Sequence, residues 1–150
     1  CSSDLLAVGK TLDSAGLEVV GATGLGIYGD REWLRQVFRN LLLNAFEAVP
    51  GGTVRVSLES LAQEGREWVR VWVCDEGPGL RGVSEEEAFR PFCTTKPAGS
   101  GLGLAIAQRG VHEHEGRIGF GERLAAGGRV FVDLPVDGPT PREQDPAAAA

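Results

Sequence analysis

Four short blocks of polar residues and glycines could do chemistry in this sequence. In chain order they are Asn40-Leu-Leu-Leu-Asn44-Ala, Asp75-Glu-Gly77-Pro-Gly79, Phe89-Arg-Pro-Phe-Cys-Thr-Thr-Lys96 and Gly99-Ser-Gly101-Leu-Gly103-Leu. Any one block alone is a weak signal. Their order and spacing together make a nucleotide site the strongest prediction that the sequence supports.

The two amides of the first block lie on one side of a predicted long helix. Asn40, Asn44 and Glu47 are spaced i, i+4 and i+7, away from the apolar stripe of the same helix. An amide among apolar neighbours is costly unless its oxygen and nitrogen are both satisfied. Magnesium with bound phosphates would satisfy it, because magnesium prefers oxygen ligands and takes few of them from the protein. Taken alone, the helix is equally compatible with amides that face solvent.

The second block places a carboxylate at the end of an apolar strand. Asp75 could accept a hydrogen bond from an exocyclic amine such as that of adenine. Gly77 and Gly79 would let the backbone pass close to a flat ring. On its own, this block is better explained as an ordinary turn built from glycine and proline.

The third and fourth blocks suit phosphate groups. Their threonines and lysine offer polar contacts and a point charge, and their glycines lead into a helix whose N-terminal amides and dipole favour anions. The predicted phosphate-binding residues are Thr94, Thr95, Lys96, Gly99, Ser100, Gly101, Leu102 and Gly103. A flexible glycine-rich surface loop is the alternative for this segment.

Together the blocks resemble the N box, the first glycine box, the F box with its lid and the second glycine box of the GHKL superfamily. The combination is most similar to the catalytic and ATP-binding domain of sensor histidine kinases, especially those of the nitrogen-regulation type. The resemblance covers about residues 4–136. It implies a Bergerat-type ATP-binding fold of the α/β class, an α+β two-layer sandwich. In this fold a mixed, mostly antiparallel sheet is backed by helices on one face.

The resemblance also implies a role for each block. Asn44, together with Asn40, would hold magnesium, and Asp75 would bind the adenine amine. Asn40 and Lys96 would act at the phosphates as the catalytic residues, helped by the backbone amides of the second glycine box. Two residues depart from the pattern, since Glu47 stands where some kinases carry a lysine, and Glu115 stands where the family often has a glycine.

The activity implied is that of a protein histidine kinase. Hydrolytic branches of the superfamily carry a glutamate at the position of Asn40, and an asparagine cannot act as a general base. The γ-phosphoryl group of ATP would pass to a histidine on a phosphoacceptor and dimerisation domain, in cis or in trans, with a response regulator receiver domain downstream. The family's dimerising helices and phosphoacceptor histidine are absent from this sequence. The alternative is a stand-alone anti-sigma-type serine kinase or a partner-binding module.

Periodicity and turn residues predict the elements that must position these blocks. A broad apolar face predicts a long helix with Asp30 as its N-cap, and alternating apolar and polar residues predict antiparallel strands. The predicted helices are 4–15, 30–48, 84–89 and 102–113, and the predicted strands are 17–20, 27–28, 53–60, 67–74, 117–120 and 129–134. His112 and His114 lack neighbours that would orient a catalytic imidazole, which favours a structural or capping role at the end of the last helix.

Length and composition bound the remaining possibilities. The 150 residues fit one domain over residues 1–136, and the composition of residues 137–150 predicts a disordered tail. A net charge of −6 argues against nucleic-acid binding. No apolar stretch approaches the roughly 20 residues of a membrane helix, so we expect no membrane contact by this segment. Sparse cysteines fit a cytoplasmic location, whether or not a longer parent protein is anchored in a membrane.

Overall fold

The computed structural model describes residues 17–21, 25–48, 52–77, 84–91, 102–121 and 128–139. The strands are β1 (Leu17–Gly21), β2 (Val54–Gln63), β3 (Arg66–Cys74), β4 (Arg117–Phe120) and β5 (Arg129–Pro135). The helices are α1 (Arg31–Ala48), α2 (Glu85–Ala88) and α3 (Gly103–Glu113). The predicted helix over residues 4–15 lies outside the described residues. Within the described part, no helix combines the length and the apolar character that crossing a membrane requires.

The strands form a single mixed sheet in the order β1-β2-β3-β5-β4. Strand β1 runs parallel to β2, and the other neighbouring pairs are antiparallel. One face of the sheet and the helices α1 and α3 share one apolar core. The sheet contributes Val54, Val56, Val69, Val71, Val73, Val130, Val132 and Leu134 to this core. The predicted fold class, a mostly antiparallel sheet backed by helices, is therefore confirmed.

Helix α1 carries the first polar block and is fixed at its start by its own sequence. The Asp30 carboxylate accepts a hydrogen bond from Trp33 N at 3.0 Å, which confirms the predicted N-cap. The side that faces the sheet is apolar and buried, with Leu34, Val37, Phe38, Leu41, Leu42 and Ala45. This stripe sets the rotation of α1 on the sheet and therefore the direction of its polar side.

The hairpin between β2 and β3 is longer than predicted. Glu64 and Gly65 have φ angles of 55° and 73°, as a tight two-residue hairpin turn requires. Pairing continues to Gln63 opposite Arg66, whereas the sequence predicted an end at residue 60. The last residues of β2 lack apolar alternation, and the turn geometry keeps them in register instead.

The predicted short strand at residues 27–28 is wrong. Residues 25–28 belong to neither a helix nor a strand. One backbone hydrogen bond, from Tyr28 N to Val136 O at 3.0 Å, joins this segment to the chain just after β5. The chain turns at once into the Asp30 cap of α1, so no ladder can propagate from that single bond.

The described chain continues past the predicted domain boundary at residue 136. Arg66 donates from Nε to Asp137 Oδ1 at 2.9 Å and from Nη2 to the Gly138 carbonyl oxygen at 2.8 Å. Gly138 is buried and has a φ of 78°, which favours glycine. These contacts tie residues 137–138 to the start of β3. The rest of the predicted tail, from residue 140 onward, lies outside the described residues.

The face of the sheet away from α1 and α3 contains an ion pair whose carboxylate is buried and whose guanidinium is half-buried. Asp133 on β5 is only 2% exposed. Arg70, its partner on β3, donates to both carboxylate oxygens, at 2.6 Å from Nε and 2.8 Å from Nη2. Its guanidinium also lies 4.9 Å from the ring centroid of Phe131. The hydrogen bond to Asp133 raises the pKa of Arg70. Because the pKa of Arg70 is raised in the folded state, the ion pair stabilises the fold at every pH below the ordinary pKa of arginine. This stabilisation is lost only in strong alkali.

Replacement of Arg70 by Met should lower the free energy of unfolding by about 2–4 kcal/mol, because the buried Asp133 carboxylate loses its partner. Urea unfolding followed by circular dichroism measures the change. As a control, the double variant Arg70→Met with Asp133→Leu removes both charges and should recover most of the loss. A single variant as stable as the parent would contradict a structural role for the pair.

Helix α3 ends in a Schellman motif whose left-handed residue is Glu115. Gly116 N donates to Val111 O at 2.9 Å, and Glu115 N donates to His112 O at 2.9 Å. The φ of Glu115 is 56°. A left-handed conformation costs a residue with a Cβ roughly 1 kcal/mol. Glycine is therefore the residue best suited to this position. The glutamate that stands here, where the family often has a glycine, carries a conformational cost.

The Glu115→Gly variant should raise the free energy of unfolding by about 0.5–1 kcal/mol, because glycine adopts this conformation without strain. The lost contact with Arg66 is 3.9 Å long, so its removal subtracts little. Thermal unfolding measures the gain. Glu113→Gly, in the last helical turn, is the matched control and should destabilise by about 1 kcal/mol. Equal losses in both variants would argue against strain at residue 115.

Candidate functional site

Six predicted site residues lie in the described part of the chain and come from three elements. These residues are Asn40 and Asn44 on α1, Asp75 and Gly77 after β3, and Leu102 and Gly103 at the start of α3. The other predicted site residues lie outside the described ranges: Gly79, Thr94, Thr95, Lys96, Gly99, Ser100 and Gly101.

The fold brings the first and fourth blocks together. A Cβ built on Gly103 would lie 3.9 Å from Asn40 Cβ, so the start of α3 contacts the polar side of α1. Leu102, the N-cap residue of α3, makes no side-chain hydrogen bond to the helix. The positive end of the α3 dipole therefore lies beside the Asn40 amide without a side-chain cap from the N-cap residue.

The amide nitrogen of Asn40 is buried and has no hydrogen-bond partner within the described ranges. Among the described residues, only Trp68 Nε1 shares this condition. A buried donor without an acceptor costs about 1–3 kcal/mol, and native proteins rarely keep one without a reason. A donor beside a helix N-terminus fits a ligand that carries anionic oxygens, such as a phosphate.

The remaining polar side chains of α1 lie on the same side of the helix. Asn44 is half-buried one turn after Asn40, and Glu47 is exposed in the next turn. The sequence left open whether both amides face solvent. The buried nitrogen of Asn40 rules out that alternative for the first of them.

Asp75 is held by backbone groups immediately after β3. Its Oδ1 accepts hydrogen bonds from Gly77 N at 2.8 Å and from Gly128 N at 3.2 Å. The Asp75 backbone N–H in turn donates to Gly128 O at 2.9 Å. Within the described residues, these bonds engage only one carboxylate oxygen. The side chain is thus oriented, and Oδ2 is left for another donor.

Gly128 is a site residue that sequence reasoning missed. A Cβ on this residue would lie 2.9 Å from Asp75 Oδ2 and 3.2 Å from Oδ1, so any side chain would disturb the carboxylate. The two residues are 53 positions apart along the chain. The pairing of β3 with β5 brings them together, and the glycine directly before a predicted strand was the available signal.

The two parts of the site rest on one core. Val73 lies two residues before Asp75, and Leu41 directly follows Asn40, and both belong to the same buried cluster. The packing of α1 on the sheet therefore fixes the carboxylate and the amide in one rigid frame.

The third block begins at a fixed point on the sheet. Ser84 caps α2 and forms a capping box with Glu87. Glu85 Oε1 accepts a hydrogen bond from Phe120 N at 2.9 Å. Phe89, the first residue of the block, is buried and lies 5.4 Å from Phe120 between ring centroids. The start of the block is therefore anchored to β4, while its predicted phosphate-binding residues lie outside the described ranges.

The two histidines at the end of α3 differ. His114 is 4% exposed, and its Nδ1 lies 2.7 Å from Gly110 O, so the predicted capping role is confirmed for this residue. His112 is exposed.

Comparison with known proteins gives a consistent result. A family model described as histidine kinase-, DNA gyrase B- and HSP90-like ATPase matches residues 29–138. Sporulation kinase E of Bacillus subtilis is 36% identical over 111 residues, which cover 73% of this chain and 15% of that protein. The chain thus spans a small part of this relative's length.

Two solved structures share the fold. The mycobacterial sensor histidine kinase MprB matches with a TM-score of 0.71 and 26% identity, over 91% of this chain and 92% of that chain. Full-length ShkA in complex with AMPPNP matches with a TM-score of 0.72 and 28% identity, over 93% of this chain and 31% of that chain.

Proposed function

Because this chain belongs to the family of histidine kinase-, DNA gyrase B- and HSP90-like ATPases, we propose that it transfers the γ-phosphoryl group of ATP to a histidine on a phosphoacceptor domain. Its relatives and structural neighbours include sensor histidine kinases, which confirms the predicted type of catalytic domain and does not favour a stand-alone serine kinase. Membership of the family implies ATP binding. The chain covers only 15% of Sporulation kinase E. The phosphoacceptor domain and a downstream response regulator are therefore part of the proposal.

The buried amide nitrogen of Asn40 carries this proposal. Its missing acceptor and its place beside the start of α3 support a phosphate oxygen as the partner. An amide has no basic nitrogen, so Asn40 cannot deprotonate an attacking water molecule. Slow hydrolysis keeps the phosphoryl group for a protein nucleophile, whose transfer depends mainly on positioning and electrostatics.

A magnesium site fits the same side of α1. The amide oxygens of Asn44 and Asn40 are ligands of the type that magnesium prefers, and the phosphates would supply others. Bound magnesium would neutralise negative charge on the β- and γ-phosphates. The remaining phosphate contacts of the proposal come from Thr94, Thr95, Lys96, Gly99, Ser100, Gly101, Leu102 and Gly103, while Gly77 and Gly79 would let the backbone pass close to the base.

Asp75 would recognise the base. Backbone N–H groups of Gly77 and Gly128 hold Oδ1, so Oδ2 can accept a hydrogen bond from the 6-amino group of adenine. This interaction discriminates against a base with an oxygen at that position, because two acceptors would then face each other.

A cytoplasmic location is also part of the proposal. The thiol of Cys74 is free, which suits a reducing compartment. ATP as the proposed phosphoryl donor suits the same compartment.

The Asp75→Asn variant should bind ATP roughly 10- to 100-fold more weakly, because a hydrogen bond to a charged acceptor is lost. The Asn oxygen should remain on the two backbone N–H groups, which turns its NH₂ group toward the adenine amine. Calorimetry with ATP and with inosine triphosphate, whose 6-oxo group accepts a hydrogen bond, separates the causes. ATP binding should fall while inosine triphosphate binding holds or improves. Unchanged affinity for ATP would refute the assignment of Asp75.

Transfer can be tested directly with γ-labelled ATP, magnesium and a purified phosphoacceptor domain of a sensor histidine kinase. We expect acid-labile label on the acceptor and little free phosphate without it, because Asn40 is not a general base. The Asn40→Asp variant should lose at least tenfold in transfer rate, since a carboxylate repels phosphate and cannot donate. Rapid phosphate release without an acceptor, together with an unlabelled acceptor, would instead indicate a hydrolysing ATPase.

A further inference from the structure

His114 joins the two helices of the proposed nucleotide site at their far ends. Its Nε2 lies 2.8 Å from Asp30 N at the start of α1, and its Nδ1 lies 2.7 Å from Gly110 O in the last turn of α3. The ring is 4% exposed. Both ring nitrogens are therefore engaged, one on each helix.

The partners of His114 determine its tautomer. A backbone N–H can only donate, so Nε2 must accept from Asp30 and carry no proton. Since a carbonyl oxygen can only accept, Nδ1 must carry the proton and donate it to Gly110 O. The arrangement requires a neutral imidazole, and a charged one would lose the bond between the helices.

Three successive contacts define how the two helices lie against each other. Gly103 lies beside Asn40 at the nucleotide end. In the last turn of α3, a Cβ on Gly110 would collide with Val37. At the far end, His114 bonds to Asp30. The helices are thus antiparallel, and a shift at the histidine end moves the start of α3 relative to Asn40.

The space around the imidazole is also closed. A Cβ on Gly29 would lie 2.7 Å from His114 Cδ2 and 2.9 Å from Leu34 Cδ1. The ring therefore lies against the loop before α1 as well as against the end of α3. The hydrogen bond from Asp30 N to His114 Nε2 therefore ties the end of α3 to the start of α1.

We propose that His114 is a positioning residue of the nucleotide site: its neutral imidazole sets the register of α3 against α1, and so the distance between Asn40 and the amides at the start of α3. This inference rests on the proposed function, because it concerns the phosphate end of the same site. It assigns His114 no contact with the nucleotide.

Two variants separate the bonds of the imidazole. In His114→Asn the amide nitrogen can replace Nδ1 toward Gly110, but nothing reaches Asp30. In His114→Gln the longer side chain can place its oxygen where Nε2 stood and restore the bond to Asp30. His112→Asn makes the same change at the exposed histidine in the same turn and is the matched control.

Affinities for ATP and for adenosine, measured by calorimetry on the intact chain, provide the test. We expect His114→Asn to weaken ATP binding about three- to tenfold, as the loss of one hydrogen bond would. Adenosine affinity should stay unchanged, because Asp75, which would read the base, lies after β3 and on neither helix. His114→Gln should regain most of the ATP affinity, and His112→Asn should match the parent. A general loss of folding would instead lower both affinities.

The outcomes distinguish this inference from the proposed function. If the parent chain fails to bind ATP, the proposed function fails. If the parent binds and His114→Asn binds ATP equally well, or loses ATP and adenosine affinity alike, the positioning role is overturned. Nitrogen-15 spectra of the imidazole give an independent check, since a proton on Nε2 at neutral pH would contradict the bond to Asp30.

Discussion

The close approach of α1 and α3 at Gly110 is the constraint on which the rest of the structure depends. A side chain there would collide with Val37 and come within 3.1 Å of Trp33 Cε3. Because glycine leaves this space open, the helices pack closely enough for Gly103 to reach Asn40. The apolar stripe of α1 holds the pair on the sheet, and β3 and β5 deliver Asp75 to the same rigid frame. The site is thus a product of helix packing as much as of its motifs.

Elements governed by local chemistry were predictable from the sequence. The long helix was expected over residues 30–48 and occupies Arg31–Ala48, because its cap and its apolar stripe are both local signals. The end of β2 and the segment 27–28 were not predictable in the same way. The end of β2 depends on the geometry of a two-residue turn, and the segment 27–28 depends on its contact with Val136, far along the chain. Residue alternation reports neither.

The site follows the same division. The four blocks predicted which residues could hold a nucleotide, and the structure places Asn40 beside Gly103 as a shared site requires. The long-range contacts of Gly128 and of the Asp30 N–H were not visible in the sequence, because their partners lie 53 and 84 positions away. Likewise, the ion pair between Arg70 and Asp133 joins residues 63 positions apart, so no local pattern indicated it.

Strand β4 lies at one border of the sheet, where a backbone donor would normally be open to a strand from another molecule. The Glu85 carboxylate occupies the N–H of Phe120 on that strand. An incoming chain would meet a donor already in use and a negative charge beside it. The hydrogen bond between Glu85 and Phe120 therefore also disfavours edge-to-edge pairing of β4 with another molecule. One such contact protects much of the edge, because β4 has only four residues.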